Sequence, residues 1–217
     1  MRKICRVALS VSIAALILAG KAHTARADAI PYPTPGTLNP VTYTFTAVSD
    51  GNITAYFAGS TAAFDNELGL LVNGVSTGII GLDNHSSAIG DSLNLGSVHA
   101  GDTLTFVLID NTLGKNAYSD PSLNAGYDLP GYAGSHNHVY STPYTATSPI
   151  LGSIPPGTFV SFEDLPFPSS DFNYNDEDFV FTNVRLDTSV PEVSSSATLL
   201  GMGIIALVFF RRRFQPV

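Results

Sequence analysis

The sequence predicts an all-β fold, an antiparallel β-sandwich or jelly roll. Apolar and polar residues alternate with a period of two along several runs, which is the pattern of strands with one buried face. Asp50-Gly51 and Asn73-Gly74 separate such runs and are typical of hairpin turns. Residues 41–189 show no amphipathic helix, so we expect this stretch to form one β-sandwich domain.

About seven strands are predicted in order along this domain. The clearest contains Leu104, Phe106 and Leu108 in alternation with threonine and valine. The predicted strands are 42–47, 53–57, 68–72, 75–80, 102–110, 159–162 and 179–184.

Residues 111–157 lose the alternation and are rich in Gly, Pro, Ser, Asn and Tyr. Such a segment holds either functional surface loops or strands that the pattern does not reveal. Its tyrosines either present platforms for sugar rings or fill gaps beneath the loops, and we favour the second interpretation. These residues are Tyr118, Tyr127, Tyr132, Tyr140 and Tyr144.

Residues 1–27 are predicted to be an export signal that signal peptidase removes. Three basic residues precede a short apolar run, and Ala25-Arg26-Ala27 is a small-residue cleavage site. The mature chain then begins at Asp28, and residues 28–40 form a proline-rich lead-in. The one cysteine, Cys5, leaves with the signal, so we expect the exported chain to have no disulfide and no thiol chemistry.

Residues 190–217 have a tripartite order. Val190-Pro191-Glu192-Val193 is followed by an apolar segment, 197–210, predicted as a transmembrane helix, and then by Arg211–Arg213. This order resembles the PEP-CTERM sorting signal of Gram-negative bacteria, with Val193 where that motif usually has a second proline. The resemblance implies processing by an exosortase at the inner membrane and a final place in the cell envelope, at the outer surface or in the extracellular matrix. A plain membrane anchor is the alternative, although a spanning helix needs about 20 apolar residues.

The charge of the body excludes some classes of partner. Residues 28–190 hold two of the ten Lys and Arg and 17 of the 18 Asp and Glu, which gives a formal charge of −15. Such a surface repels nucleic acid and anionic lipid. It favours divalent cations or neutral glycans, and polysaccharide is therefore a candidate partner.

The stretch 161–181 concentrates this negative charge. Six carboxylates lie between two apolar runs that are predicted to pair as an antiparallel hairpin. Like charges that face each other across paired strands are destabilising unless something cancels them, and calcium binds carboxylate and carbonyl oxygens. The predicted calcium ligands are Asp164, Asp171, Asn173, Asn175, Asp176 and Asp178.

An EF-hand is excluded as the form of this site. Asp171-x-Asn173-x-Asn175 matches the opening of an EF-hand loop, but Asp176 stands where that loop needs glycine. Thr182 stands where the loop needs its last glutamate. A different oxygen cage is one interpretation, and a solvated loop that uses Asp and Asn for turn hydrogen bonds is the other.

The same stretch resembles a bacterial domain of unknown function. Phe162-Glu163-Asp164-Leu165, followed by Asp171-x-Asn173-Tyr174-Asn175-Asp176, is similar to the "FEDL … DxDYND" signature of that domain. Asn173 replaces the aspartate that the signature more often has. The resemblance implies an exported surface protein of the exosortase-sorted or calcium-rich kind, and it implies location and fold more than an activity.

Two function classes remain. The first is a non-catalytic protein of the cell envelope or extracellular matrix that is stabilised by calcium, with polysaccharide as a candidate ligand. The alternative is a secreted carbohydrate-active or metal-dependent hydrolase that uses the carboxylates or His136-x-His138, with His85 and His99 as further candidates. The first is favoured because the sequence shows no nucleophile elbow and no complete zinc-ligand set.

Overall fold

The computed structural model describes residues 30–132 and 136–189 and shows a nearly all-β chain. Eleven strands and one short 3₁₀ helix, Pro121–Gly126, make up the regular structure of these residues. The strands are β1 Thr42–Ala47, β2 Gly51–Gly59, β3 Asn66–Val72, β4 Val75–Gly81, β5 Ser92–Val98, β6 Thr103–Asp110, β7 Lys115–Tyr118, β8 Val139–Tyr144, β9 Gly157–Phe162, β10 Glu177–Thr182 and β11 Val184–Ser189.

The strands form two antiparallel sheets. The first has the order β11-β1-β6-β3-β4, and β7 also pairs with β6. The second has the order β5-β2-β10-β9-β8. The all-β antiparallel fold predicted from the alternation is therefore confirmed. The predicted signal peptide and C-terminal sorting helix lie outside the described residues, and within those residues no helix is long and apolar enough to cross a membrane.

The core lies between the two sheets. Phe106 of β6 stacks on Phe181 of β10, with ring centroids 3.8 Å apart, and Phe45 of β1 packs edge-on against Phe106 at 5.0 Å. Leu68 and Leu70 of β3 are also fully buried in this cluster. A second, smaller cluster forms on the other face of the second sheet, where Val180 and Phe159 pack against the segment 144–154.

Some sequence predictions need correction. Asp50-Gly51 is not a hairpin turn, because β1 belongs to the first sheet and β2 to the second. Asn73-Gly74 is one, since Val72 of β3 pairs with Val75 of β4 across it. Both turn residues have positive φ, 50° and 80°, as the tight turns that join adjacent antiparallel strands require.

The predicted strand 179–184 is two strands in different sheets. Asn183 has a φ of 63° and interrupts the strand, so β10 stays in the second sheet while β11 crosses to pair with β1 in the first. Residues 111–157 contain β7, the 3₁₀ helix and β8, none of which the alternation revealed. Of the tyrosines there, Tyr127 and Tyr144 are buried, Tyr118 and Tyr140 are half-buried, and Tyr132 is about half exposed at 51%.

Candidate metal centre

Polar residues occupy inward-facing positions at one end of the sandwich. Asn66 precedes the buried Leu68 by two residues on β3, and Asp110 follows the buried Leu108 by two on β6. Asn66 pairs with Asp110 in the sheet register, so the two lie side by side. Glu177 precedes Phe179 by two on β10 and faces the same inter-sheet space. Residues at an even spacing share one face of a strand, so these three side chains continue the core positions as polar groups.

The predicted hairpin between β9 and β10 is confirmed and gathers four carboxyl groups at this end. Phe162 pairs with Glu177, and the backbone amide of Asp176 donates to the carbonyl of Phe162 at 3.1 Å. We call the four buried acids at this hairpin mouth the acidic cluster. Its members, with their exposed fractions, are Glu163 (1%), Asp164 (4%), Asp176 (9%) and Glu177 (0%).

No cation of the protein neutralises the acidic cluster in the part of the chain that the structure describes. The ion pairs there are His99–Asp102, His136–Asp128, His138–Asp128 and Arg185–Asp187. Lys115 donates to the carbonyl oxygen of Tyr127 at 2.9 Å. Buried acids without a counter-charge are costly, so they must be protonated or bound by a cation from outside the chain.

Asp164 and Asp176 form the centre of the cluster. The backbone amide of Asp164 donates to Oδ2 of Asp176 at 2.9 Å, and the Asn66 side-chain amide donates to Oδ2 of Asp164 at 2.9 Å. Burial raises the pKa of Asp164, and burial followed by repulsion from Asp164 and Glu163 raises the pKa of Asp176 to about 9.

Glu163 lies beside this pair with one oxygen unused. Its Oε2 accepts a long hydrogen bond of 3.4 Å from the backbone amide of Tyr174, and its Oε1 is buried without a hydrogen-bond partner. Burial, and then repulsion from Asp171, raises its pKa to about 7. A buried acceptor without a donor costs about 1–3 kcal/mol, so Glu163 is poised to bind an incoming cation.

Glu177 is the most exceptional member of the cluster. Both of its carboxyl oxygens are buried and neither has a hydrogen-bond partner. Burial, followed by repulsion from Asp178 and Asp83, holds its pKa well above the ordinary range. Buried polar groups in folded proteins are nearly always hydrogen-bonded, so this side chain indicates a missing partner.

Two of the six predicted ligands, Asp164 and Asp176, are brought together in this cluster. Asp178 faces the other side of β10, where the hydroxyl of Ser161 donates to its Oδ1. The remaining three lie in the loop before β10 and make turn hydrogen bonds. Oδ1 of Asp171 accepts from the amide of Asn173 at 3.2 Å, and Oδ1 of Asn173 accepts from the amide of Asn175 at 3.2 Å.

Asn175 also has a structural contact, since its Oδ1 accepts from the hydroxyl of Thr61 at 2.8 Å. The loop 171–175 therefore has the turn hydrogen bonds that a solvated loop would use, whereas the carboxylates on either side of it are buried. The spacing of Asp and Asn within the loop is therefore the same for turn-forming residues as for metal ligands, and it does not distinguish the two roles.

The sequence reasoning missed Asn66 and Asp110 and left Glu163 and Glu177 off the ligand set. The strand alternation carried a usable signal for three of them. Asn66 is in phase with Leu68 and Leu70, and Asp110 is in phase with Phe106 and Leu108. Glu177 is likewise in phase with Phe179, so a polar residue at a core position marks each of these sites.

The acidic cluster offers the kind of ligand atoms that calcium binds, but its side chains are not arranged around a common point. No three Asp, Glu, His or Cys side chains among residues 30–132 and 136–189 converge as a metal-binding group. The carboxyl groups of Asp164 and Asp176 accept hydrogen bonds from amides, and that of Glu177 has no hydrogen-bond partner. The donors are oxygens only, as calcium prefers, and the unpartnered Oε1 of Glu163 fits such a cation.

The histidines that the sequence singled out bind a carboxylate. Nδ1 of His136 lies 2.9 Å from Oδ2 of Asp128, and Nε2 of His138 lies 2.8 Å from Oδ1 of the same group. Burial raises the pKa of Asp128, but the hydrogen bonds to the two histidines outweigh it and hold the pKa well below its usual range. The His136 ring also stacks on Phe167 at 3.6 Å. The arrangement fixes the segment 136–138 against the loop that contains Phe167. The other two candidate histidines, His85 and His99, are exposed and lie elsewhere in the fold.

Comparison of the chain with protein-family models, with curated proteins and with solved structures finds no match.

Proposed function

We propose that the chain is a non-catalytic structural module of a bacterial cell envelope or extracellular matrix, stabilised by calcium. The observation that carries the proposal is the acidic cluster, in which four buried carboxyl groups lie together. Among the described residues, none of these four groups forms an ion pair with a cationic side chain. The Asp164–Asp176 pair, with Glu163 beside it, is the proposed calcium site.

Calcium is favoured over other cations by the chemistry of these groups. Carboxylate and carbonyl oxygens are hard ligands, and calcium accepts six to eight of them in irregular geometry. Magnesium requires near-ideal octahedral geometry and loses water reluctantly, so it suits an all-protein oxygen site less well. Zinc is disfavoured because the acidic cluster offers only oxygen ligands, whereas protein zinc sites use mainly cysteine sulfur and histidine nitrogen.

The location and processing of the chain belong to the same proposal. A signal peptide at 1–27 takes the chain across the inner membrane, and an exosortase recognises the PEP-CTERM-like segment 190–217. A β-sandwich that gains stability from a metal abundant outside the cell suits this destination. Removal of both ends leaves a strongly acidic body, for which nucleic acid is not a partner.

Polysaccharide is the proposed partner outside the cell. The body is too acidic to attract polyanions, so a neutral glycan is the favoured kind. Tyr132 is half exposed and packs edge-on against Phe167 at 5.5 Å, which gives a small aromatic surface of the kind that sugar rings stack on. A glycan array with the full chain tests this part, and retention without released product is expected. Product release would instead support the hydrolase alternative.

Thermal unfolding of the full chain with and without calcium tests the calcium part. Extracellular calcium modules have dissociation constants of about 0.1–1 mM. At ten times that concentration, linkage adds RT ln 11, about 1.4 kcal/mol, which raises the melting temperature by about 3–6 °C in a domain of this size. Asp187→Asn, which removes an exposed charge, is the matched control and should keep the full rise. Equal melting temperatures in calcium and in calcium-free buffer would contradict the proposal.

A further inference from the structure

Two asparagines of the sequence stand in the pattern Asn-x-Ser/Thr, which is the acceptor pattern for N-linked oligosaccharides in exported proteins. They occur in Asn52-Ile53-Thr54 and in Asn84-His85-Ser86. The pattern is short, so by itself it does not distinguish an acceptor from an ordinary set of polar residues. The fold distinguishes the two asparagines, because an acceptor must carry its sugar in the folded protein.

The side chain of Asn84 is held by the fold. Its Nδ2 donates to the carbonyl oxygen of Phe64 at 2.8 Å and to Oγ of Ser60 at 3.5 Å. Its Oδ1 accepts from the backbone amide of Asn66 at 2.9 Å. An N-glycosidic bond replaces one Nδ2 hydrogen by a sugar ring, which would remove a donor from these partners at a half-buried residue. The folded chain therefore disfavours a sugar on Asn84.

Asn52 presents its side-chain amide at the surface. The residue is exposed at the second position of β2, and its Oδ1 accepts from the hydroxyl of Ser97 at 2.8 Å. Its Nδ2 donates no hydrogen bond to any residue that the structure describes. The atom that would carry a sugar is thus available, and the oxygen that orients the side chain is left in place by an N-glycosidic bond.

The third residue of the pattern lies on the same surface. Ile53 is buried in the core between the sheets, so Asn52 and Thr54, on either side of it, face outward from the second sheet. The pairing of β2 with the edge strand β5 shifts in register between Asn52 and Thr54. Such a bulge interrupts the ladder of backbone hydrogen bonds. The two side chains that define an acceptor are therefore together on an outer face, beside an irregular part of the sheet.

The residue two positions before each asparagine also differs. Bacterial oligosaccharyltransferases select an asparagine that has a carboxylate at this position. Asp50 stands there before Asn52 and is exposed, whereas Leu82 stands there before Asn84. Sequence and exposure thus select the same asparagine.

We propose that Asn52 is the acceptor of an N-linked oligosaccharide that is transferred from a polyprenyl diphosphate donor. Nδ2 of Asn52 attacks the anomeric carbon of the first sugar, and a carbon–nitrogen bond forms. The bond from that carbon to the diphosphate oxygen breaks, polyprenyl diphosphate leaves, and one amide proton passes to a base of the transferase. Nothing is oxidised or reduced in this step.

The site is separate from the acidic cluster. Gly59, seven residues further along β2, is paired with β10 at the end where the cluster lies, and strand geometry places Asn52 about 23 Å from it. The inference rests on the proposed function only for export, since the donor is presented on the outer side of the inner membrane. It does not depend on calcium.

Intact-mass measurement of the full chain tests the assignment. The chain, with its own residues 1–27, is produced in a Gram-negative host that has an oligosaccharyltransferase and a polyprenyl-linked oligosaccharide of known mass. We expect a mass increase of one oligosaccharide per chain, and peptide fragmentation should place it on Asn52. Asn52→Gln should lose the increase completely, and Asp50→Asn should lower the occupancy at least tenfold.

Matched variants separate recognition of the acceptor from effects on folding. Thr54→Val keeps the asparagine and the shape of the side chain but removes the hydroxyl, so it should also abolish the modification. Thr54→Ser restores the hydroxyl and should be modified. Ser86→Ala removes the second pattern at an exposed position and should leave the mass increase unchanged. Circular-dichroism spectra of all variants should match that of the wild-type chain.

The outcomes distinguish this inference from the proposed function. An unmodified Asn52 on a chain that begins at Asp28 would overturn the inference and leave the proposed export in place. An unmodified chain that retains residues 1–27 would contradict both. An oligosaccharide on Asn84 at equal occupancy, or one that survives Thr54→Val, would also overturn the inference.

Discussion

Replacing Asp176 by asparagine removes a carboxyl group that the fold buries beside two others. The pKa of Asp176 is raised to about 9, first by burial and then by repulsion from Asp164 and Glu163, against an ordinary value of 3.8. A carboxyl with a raised pKa binds its proton more tightly in the folded chain than in the unfolded chain. Its contribution to stability is therefore complete below about pH 4 and is lost as the pH rises towards 9.

The magnitude follows from the number of protons. Between pH 5 and pH 7 the folded chain keeps the Asp176 proton while the unfolded chain has released it. One net proton lowers the free energy of unfolding by about 1.4 kcal/mol for each pH unit. In a domain of this size, the calcium-free protein should lose about 3–6 °C of melting temperature per pH unit from this group alone.

Calcium should act in the opposite direction. It must displace the proton that the raised pKa of Asp176 keeps on this carboxyl group, so its affinity rises with pH, and so does the calcium-dependent increase in melting temperature. Asparagine has no proton to release and no charge for calcium. Asp176→Asn should therefore flatten the pH dependence in calcium-free buffer and abolish most of the calcium effect.

The assay is thermal unfolding at pH 5, 6 and 7, with calcium and in calcium-free buffer. Wild-type chain, Asp176→Asn and the exposed control Asp187→Asn are compared. Because asparagine is neutral without taking up a proton on folding, calcium-free Asp176→Asn should be at least as stable as the wild-type chain at pH 7. Parallel pH profiles for Asp176→Asn and wild type, or an undiminished calcium effect in the variant, would refute the reasoning.

Four further predictions concern the fold and the two ends. Tyr127→Phe should cost about 1–3 kcal/mol in urea unfolding, because the Asp164 carbonyl and the buried Asp110 carboxyl lose the Tyr127 hydroxyl; an unchanged free energy of unfolding would contradict this. Gly157→Ala should lower the melting temperature, since its Cβ would lie 2.2 Å from the backbone oxygen of Phe181, and a neutral result would mean that β9 shifts freely. Intact-mass measurement of envelope-derived protein should give Asp28 as the first residue, and a chain that retains 1–27 would contradict the signal peptide. Deletion of 197–217 should release the chain into the medium, and an exosortase-deficient host should accumulate unprocessed, membrane-held chain; unchanged processing in that host would mean that the tail is a plain anchor.

The strands that the sequence predicted are those with an unbroken apolar alternation, such as β6 and β3. β5 was missed although Leu93 and Leu95 keep the alternation, whereas other departures from the prediction have identifiable reasons. Pro143 lies within β8, which is tolerated because β8 is at the edge of its sheet. Asn183 adopts a positive φ that lets one apolar run supply strands to both sheets, and no local pattern shows such a crossing.

The site was predictable in position and only partly in composition. Pairing of β9 with β10 follows from their apolar runs, and it places Asp164 beside Asp176. Asn66 reaches Asp164 across 98 positions of sequence, which no spacing within the acidic stretch could indicate. The regular Asp-x-Asn-x-Asn spacing proved to be the spacing of turn hydrogen bonds.

An anomalous difference map tests the central claim most directly, from crystals of the full chain grown at pH 7 with calcium and with terbium as a heavier substitute. The account predicts a peak about 2.3–2.6 Å from carboxylate oxygens of Asp164 and Asp176, the usual calcium–oxygen distance. A map without a peak at the acidic cluster, with the Asp164 backbone amide still donating to Oδ2 of Asp176, would contradict it.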